Sequence, residues 1–292
     1  MTAVVPDVLS DVARRIAAPG AHADRAMARE LIATVLDLPN HWAAKDVGDH
    51  FSPAELRAID EACGRLRRGM PLAYAARRAA FRTLDLVVDE RVLIPRPETE
   101  VLVDIALEMV EGGAGAAIDV GTGSGALALA LAVEGKFARI MATDVSLSAL
   151  AVAAENADRV RLGFGGERPL PAIEFGHGSW LAPCRGERAG LVVSNPPYIA
   201  YAEAPELPAS VRDWEPPVAL YAGEDGLASV VCIAQEASAI LTPRGVLVVE
   251  VDSRRAGRAA SAVASSGAYG DVNVRPDLTG RARFVVARRR ED

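Results

Sequence analysis

The chain of 292 residues is longer than a typical single domain, and half of its residues are hydrophobic, so it can bury a substantial core. Its 39 acidic and 32 basic side chains give a formal net charge of −7, which argues against a protein whose main task is to grip nucleic acid phosphates. The three cysteines lack CxxC spacing and no apolar run reaches about 18 residues, which argues against a disulfide framework, a zinc site and a membrane span.

The N-terminal residues and the cysteine pattern predict the compartment. The first residues, MTAVVPDVLSDVARRIA, carry acids early and lack the basic region and apolar core of a secretory signal. We therefore expect an unexported, cytoplasmic protein with no membrane association and no metal.

Residues 1–80 are predicted to form a small helical domain. Leu9, Val12 and Ile16 recur at spacings of three and four, and so do the apolar residues between Ala28 and Leu36. Such spacing places the apolar side chains on one face of each helix. We expect short amphipathic helices here.

One helix start in this region has a clear signature. Ser52 can cap the helix, Pro53 suits the first helical position, and Glu55 is placed to reach back as in a capping box. We expect this helix to run to about Arg68.

The stretch from 65 to 82 contains six arginines and no acid. Two interpretations are open: solvated helix faces with pairing between domains, or a basic surface that meets an acidic partner protein. The six are Arg65, Arg67, Arg68, Arg77, Arg78 and Arg82.

Residues 81–95 are predicted to form a connecting β-hairpin. Leu84, Leu86 and Val88 alternate as in a strand, and "VDER" can turn the chain into a second strand over 92–94.

From residue 96 to 292, apolar strands alternate with helical patterns, which favours an α/β fold with a parallel sheet covered by helices on both faces. The predicted strands are 116–120, 138–143, 172–175, 191–194 and 246–251.

A glycine loop follows the first of these strands. Gly121, Gly123 and Gly125 let the backbone approach a ligand at a helix N-terminus, and alone they could equally be a tight turn. Asp144 ends the next strand, where its carboxylate can accept hydrogen bonds from a ribose. Together they indicate a nucleoside-containing cofactor, and GxGxG spacing favours S-adenosylmethionine over NAD.

The sequence "NPPY" follows the strand 191–194. Pro196 and Pro197 force the chain out of the sheet, so Asn195 stands at a strand end where ligands bind in such folds. The Asn195 oxygen and the Pro196 carbonyl could accept both N–H bonds of a planar NH2 group, and Tyr198 could lie against that group. A proline turn after a buried strand, with a core tyrosine, is the competing interpretation.

These motifs resemble a known family. "DVGTGSG", "NPPY" and "VDERVLIPRPETEVLV", continued by "VRDWEPPVALYAGEDGLA" and "DLTGRARFVVARR", look like the HemK or PrmC family of protein N5-glutamine methyltransferases, which modify peptide chain release factors. The resemblance covers the chain from about Pro71 to Arg289.

The resemblance implies an architecture. It predicts a Rossmann-like class I methyltransferase domain over 96–292, with a mixed, mostly parallel seven-stranded sheet. The helical domain over 1–80 would dock the substrate and would be joined to it by the hairpin.

The resemblance also implies an activity: methyl transfer from S-adenosylmethionine, leaving S-adenosylhomocysteine, to the glutamine of the GGQ motif in a release factor. The implied substrate-binding residues are Asn195, Pro196, Pro197 and Tyr198, and the first two with Tyr198 are the catalytic ones. The implied cofactor-binding residues are Asp119, Gly121, Thr122, Gly123, Gly125, Asp144, Val145, Trp180 and Asn195.

Some residues have open interpretations. Trp180 could stack on adenine or belong to the core. The segment from Pro95 to Glu100 is implied to close over the site, but its Arg96 and Glu98 could instead form an ion pair or supply first-turn charge to a helix that starts at Pro97. The chain also departs from the family pattern at Arg77 and near Asp252, where glycine is usual, and at Ser179, where an acid is usual. The departures at Arg77 and Asp252 bear on which amide is methylated, and the one at Ser179 would remove an expected contact with the adenine amino group.

Further functions remain open at this point. A ribosomal-protein glutamine, or an exocyclic amine of adenine or cytosine, would present the same planar nitrogen. The acidic balance argues against stable nucleic acid binding. A cofactor-binding protein without catalysis and a NAD-dependent oxidoreductase complete the set of functions that these motifs allow.

Overall fold

The computed structural model describes residues 3–17, 24–38, 50–111, 113–166 and 168–291; the other residues of the predicted domains lie outside these ranges. The chain divides into two compact units. A helical unit comprises Met1–Ala79, Val88–Glu90 and Pro208–Trp214, and a sheet unit comprises Ala80–Val87, Arg91–Leu207 and Glu215–Asp292.

The helical unit has its own apolar core. Its helices are α1 (Val5–Ile16), α2 (Arg25–Leu36), α3 (Pro53–Arg67) and α4 (Leu72–Ala76), and β1 (Ala3–Val4) pairs antiparallel with β2 (His50–Phe51). The apolar residues spaced by three and four on α1 and α2 are buried together, as their pattern predicts.

The predicted capping box at the start of α3 is present. The Ser52 hydroxyl accepts the Glu55 N–H at 3.3 Å, and the Glu55 carboxylate accepts the Ser52 N–H at 2.7 Å. Pro53 occupies the first turn, where its missing N–H costs no hydrogen bond. These contacts satisfy donors that a helix start leaves open.

Arg77 ends α4 in the left-handed backbone conformation, with φ of 60°. Its N–H donates to the Ala73 and Tyr74 carbonyls, which closes the helix. Glycine adopts this conformation without steric cost, so the glycine usual in the resembling family has a structural reason here.

The hairpin differs from its prediction. The structure pairs β3 (Arg78–Phe81) with β4 (Leu84–Val87), and 92–94 lies outside the strands. The predicted second strand is therefore wrong. The N–H of Ile94 donates to the Glu215 carboxylate at 3.4 Å instead of to a neighbouring strand.

Arg82 explains where the hairpin turns. Its φ of 53° lets the chain reverse between the two strands. Its own N–H donates to the Glu100 carboxylate at 2.8 Å, and its guanidinium pairs with Glu134 at 2.6 Å and Asp104 at 2.8 Å. An arginine with φ above zero is thus held by three acids.

The sheet unit contains a seven-stranded sheet, as expected for a class I methyltransferase fold. Its order is β10–β11–β9–β8–β5–β6–β7; β11 runs antiparallel to both neighbours and the other pairs are parallel. The strands are β5 (Gly115–Val120), β6 (Phe137–Asp144), β7 (Ala172–His177), β8 (Ala189–Ser194), β9 (Leu241–Glu250), β10 (Tyr269–Pro276) and β11 (Ala282–Arg289).

Helices cover both faces of this sheet. Leu191 and Val193 of β8 join a core cluster with α5, α6 and α7, whereas Val192 joins a second cluster with α10 and α11. Strands buried on both faces read as continuous apolar runs, which is what the sequence displays. The helices of the remaining chain are α5 (Pro97–Met109), α6 (Ala126–Glu134), α7 (Leu147–Gly163), α8 (Ala209–Arg212), α9 (Pro217–Leu220), α10 (Ala228–Ile240) and α11 (Ala256–Ser265).

Among the described residues, no helix combines the length and the apolar character that crossing a membrane requires.

Two of the arginines with a left-handed backbone, Arg77 and Arg82, give a paired stability test. Arg77→Gly is expected to raise the free energy of unfolding by about 1 kcal/mol, because glycine removes the Cβ clash of that backbone and the Arg77 side chain is exposed. Arg82→Gly is expected to lower it, because the contacts with Glu134 and Asp104 are lost. Urea denaturation followed by circular dichroism measures both. Equal destabilisation by the two changes would contradict this account.

Candidate active site

Two neighbouring strand ends define the candidate site. In the parallel pair of β5 and β8, Val120 lies opposite Ser194, so Gly121 and Asn195 are the residues that leave the sheet side by side. The strand order reverses at this point, because β6 lies on the other side of β5. Open α/β sheets bind ligands at such switch points.

A cavity of about 620 Å³ lies at this edge, within the sheet unit, and its size falls in the range of small-molecule sites. The loops after β5 to β8 form its wall, together with segments near 91–99 and 216–223. The predicted site residues that line it are Gly121, Thr122, Gly123, Asp144, Val145, Trp180, Asn195 and Pro197.

The glycine loop presents backbone to the cavity. Gly121 and Gly123 have φ of 71° and 54°, and a Cβ on either would point into open space. A Cβ on Gly125 would instead come within 3.3 Å of Leu129 and Ala153, so this glycine serves close packing of α6. Gly121 and Gly123 therefore fit a ligand that needs close backbone approach, whereas Gly125 does not line the cavity.

Asp119 lies behind the loop and is fully buried. Its Oδ2 accepts the Thr122 O–H at 2.6 Å and the Ala128 N–H at 3.1 Å, and among the described residues its Oδ1 has no hydrogen-bond partner. Burial raises the pKa of this carboxyl to about 7. Asp119 thus supports the loop and does not itself line the cavity.

Asp144 ends β6 on the cavity wall. Its Oδ2 accepts the Gly123 N–H at 2.9 Å and its Oδ1 accepts the Ser146 N–H at 2.8 Å, while burial raises its pKa. Each carboxylate oxygen keeps further lone pairs for a ligand hydroxyl. Two backbone N–H groups therefore fix this carboxylate on the cavity wall.

Trp180 lines the cavity with a left-handed backbone, φ of 46°. The Thr143 hydroxyl donates to its carbonyl at 2.8 Å and holds it there. Ser179, at the position where the resembling family usually has an acid, also lines the cavity and offers a hydroxyl instead.

The NPPY residues are divided between the cavity and its surroundings. The Asn195 Nδ2 donates to the Thr99 hydroxyl at 2.9 Å, which leaves the Asn195 Oδ1 to accept from a ligand. The Tyr198 hydroxyl donates to the buried carboxylate of Glu250 at 3.4 Å, and burial raises the pKa of Tyr198. Pro196 and Tyr198 are not among the described residues that line the cavity. Their contact with a substrate stays a prediction.

A second segment braces this loop. The Ile199 N–H donates to the Leu220 carbonyl at 3.0 Å, and the Ala222 N–H donates to the Ile199 carbonyl at 2.9 Å. Gly226 passes so close to the Tyr198 carbonyl that a Cβ would collide with it. These contacts join the segment "EPPVAL…GEDGL" to the NPPY loop.

Arg96 forms an ion pair, which was one of its two interpretations. It pairs with Glu215, which is buried and also accepts the Ile94 N–H. Glu98 lies in the first turn of α5, where a negative charge is favourable.

Ion pairs also form at Asp252 and in the arginine-rich stretch from 65 to 82. Asp252, near which the family usually has glycine, binds Arg254 at 2.6 Å and Arg255 at 2.9 Å. In the arginine-rich stretch, Arg65 lies 3.6 Å from Glu61 and Arg78 lies 3.0 Å from Asp37, which favours pairing within the helical unit.

Within the described ranges, no group of three or more His, Cys, Asp or Glu side chains is placed to hold a metal ion.

Comparisons with known proteins identify the family. A sequence model of the methyltransferase small domain matches residues 98–207. Release factor glutamine methyltransferases from Moorella thermoacetica and Deinococcus radiodurans are 37% and 39% identical to this chain, and each alignment covers 97% of it and 98% of the relative. The chain belongs to the release factor glutamine methyltransferase family. A solved Pyrococcus furiosus methyltransferase, 16% identical, covers 82% of this chain and 100% of its own with a TM-score of 0.53, a likeness of fold alone.

Sequence reasoning did not single out several residues of the candidate site. Thr99, Tyr201 and Tyr221 line the cavity, and the two tyrosine rings lie 5.5 Å apart. Glu250 is 1% exposed and contacts both Thr99 and Tyr198. A glutamate at the end of the apolar run "VLVVE" was an available signal, since a buried carboxylate requires partners.

The raised pKa of Asp119 predicts a pH dependence of stability. A carboxyl with a higher pKa in the folded than in the unfolded protein takes up a proton on folding, so the free energy of unfolding falls as pH rises from about 4 to about 7. Asp119→Asn is expected to reduce this fall, measured by urea denaturation at several pH values.

Glu108→Gln is the control, because Arg275 holds the pKa of Glu108 below its usual value and this group titrates at lower pH. It should leave the slope above pH 5 unchanged. A wild-type slope in Asp119→Asn would rule out the proposed titration.

Proposed function

We propose that this protein transfers a methyl group from S-adenosylmethionine to the side-chain nitrogen of a glutamine in the GGQ motif of a peptide chain release factor. The observation that carries the proposal is the adjacency of Gly121 and Asn195 on one cavity wall, at the ends of paired strands. The curated relatives' names support the substrate. A release factor substrate also supports the cytoplasm as compartment.

The residues present fit the cofactor. The cavity offers open space beside the Gly121 and Gly123 backbone, an oriented Asp144 carboxylate for the ribose hydroxyls, and the Trp180 ring for the adenine. When bound, S-adenosylmethionine supplies a methyl group on a positively charged sulfur, which is already a good leaving group. The loop and Asp144 are thus assigned to cofactor binding.

Asn195 is assigned to the substrate amide. Its Oδ1 can accept one N–H of the glutamine NH2, and the Pro196 carbonyl the other, which fixes the tilt of the planar amide and the direction of its nitrogen. The Tyr198 ring would lie against the flat amide and limit its tilt. An amide oxygen accepts a hydrogen bond but is too weak a base to take a proton, so the proton released from the nitrogen goes to water.

The substrate is tested by incubating the protein with labelled methyl donor and parallel acceptors: release factor, its GGQ→GGA variant, ribosomal proteins and DNA. We expect label on the unaltered release factor alone. Label on the GGA variant, on ribosomal protein or on DNA, with none on the release factor, would overturn the proposal.

Two variants separate the two roles. Asn195→Ala is expected to leave cofactor affinity within about threefold and to lower kcat for methyl transfer at least about a hundredfold, because the amide is no longer oriented. Asp144→Ala is expected to weaken cofactor binding first. Calorimetric titration and single-turnover kinetics measure the two effects, and wild-type turnover by Asn195→Ala would refute the assigned role.

A further inference from the structure

A chain of hydrogen bonds runs from the cavity into the core of the sheet unit. The Asn195 Nδ2 donates to the Thr99 Oγ1 at 2.9 Å, and the Thr99 hydroxyl donates to the Glu250 Oε2 at 2.7 Å. Thr99 is 4% exposed and Glu250 is 1% exposed. The three residues come from the loop after β8, the first turn of α5 and the last position of β9.

The order of donors and acceptors in this series of hydrogen bonds selects one orientation of the Asn195 amide. A hydroxyl has a single proton, and Thr99 commits it to the carboxylate, so the same oxygen can only accept on its other side. The amide group that faces Thr99 must therefore be the NH2. If the amide were rotated by 180°, two acceptor oxygens would face each other in a buried place.

We propose that Thr99 and Glu250 are positioning residues that fix the Asn195 side chain with its oxygen toward the cavity. The inference rests on the proposed function, because an oxygen there accepts the glutamine N–H whereas an NH2 would oppose it. Neither Thr99 nor Glu250 touches the reacting atoms. They act through the orientation of Asn195.

Titratable groups from the loop after β8, from β11 and from α5 face Glu250. The Tyr198 hydroxyl lies 3.4 Å from its Oε1, and the Arg283 guanidinium of β11, itself paired with Asp277 at 3.2 Å, lies 3.9 Å from the same atom. Glu98 of α5 adds a negative charge in the vicinity. These contacts fix the carboxylate plane that receives the Thr99 proton.

The two hydrogen bonds from Asn195 to Thr99 and from Thr99 to Glu250, called the relay below, should depend on pH. Burial raises the pKa of Glu250 to about 7, while Arg283 and the hydrogen bonds oppose that rise. Protonated Glu250 can donate to Thr99, and Thr99 can then donate to Asn195, which reverses the relay and turns the amide. Methyl transfer should therefore fall as pH drops below about 7, while cofactor affinity should change less.

Thr99→Val and Thr99→Ser form the matched test. Valine keeps the shape and removes the hydroxyl, so kcat is expected to fall at least about tenfold with cofactor affinity within about twofold. Serine restores the hydroxyl and should recover kcat to within about threefold of wild type. Glu250→Gln should lower kcat and abolish its fall at acid pH. Wild-type kcat in Thr99→Val, or an unchanged pH profile in Glu250→Gln, would overturn the relay.

A readout without turnover separates this inference from the proposed function. The chain has four asparagines, so 15N-asparagine labelling gives few side-chain NH2 pairs, and Asn195→Ala assigns the relevant pair by its loss. Its proton exchange is expected to be slow in wild type and Thr99→Ser and fast in Thr99→Val. Equal exchange in all three refutes the relay even if the release factor is methylated. Slow exchange with no methylation of the release factor refutes only the proposed function.

Discussion

The parallel pairing of β5 with β8 is the constraint on which the site depends. Both strands are buried on both faces, and their register places Val120 opposite Ser194. The Ser194 hydroxyl donates to the Val120 carbonyl at 2.7 Å and ties the two ends together. A slip of two residues would keep the core faces but separate the glycine loop from Asn195. Hydrophobic burial alone leaves more than one possible pairing of β5 with β8. The hydrogen bond from Ser194 to Val120 helps to select the pairing that brings the glycine loop beside Asn195.

Residues far away in the sequence support the loop that carries Asn195. The prolines remove two N–H donors, so the loop cannot be stabilised by continuing the ladder and needs other partners. The segment from Glu215 to Gly226 supplies them: it pairs with Ile199 and is anchored by the ion pair of Glu215 with Arg96. Two motifs separate in sequence are thus one structural unit.

The sequence predicts the five parallel strands, the glycine loop and the position of Asn195 because these features depend on local patterns of apolar residues, glycine and proline. It misplaces the hairpin because an arginine with positive φ, Arg82, makes the turn, and that conformation depends on Glu100 and Glu134. The contact between Thr99 and Glu250 likewise depends on tertiary packing and could not be predicted from the sequence. Thr99 reads as an ordinary first-turn residue, and only the packing of α5 on β9 brings it to Glu250.

Two buried carboxyl groups, those of Asp119 and Glu250, lie at the carboxyl edge of the sheet. Burying a carboxyl without a full set of partners costs free energy, and both Asp119 and Glu250 have pKa values raised to about 7 by burial. Each lies behind one half of the site: Asp119 binds Thr122 of the glycine loop, and Glu250 binds Thr99 beside Asn195. In both cases a threonine hydroxyl donates to the acid, and its oxygen is left to accept. In both places the buried acid therefore fixes the direction of the hydrogen bond that its threonine partner donates, one beside the glycine loop and one beside Asn195.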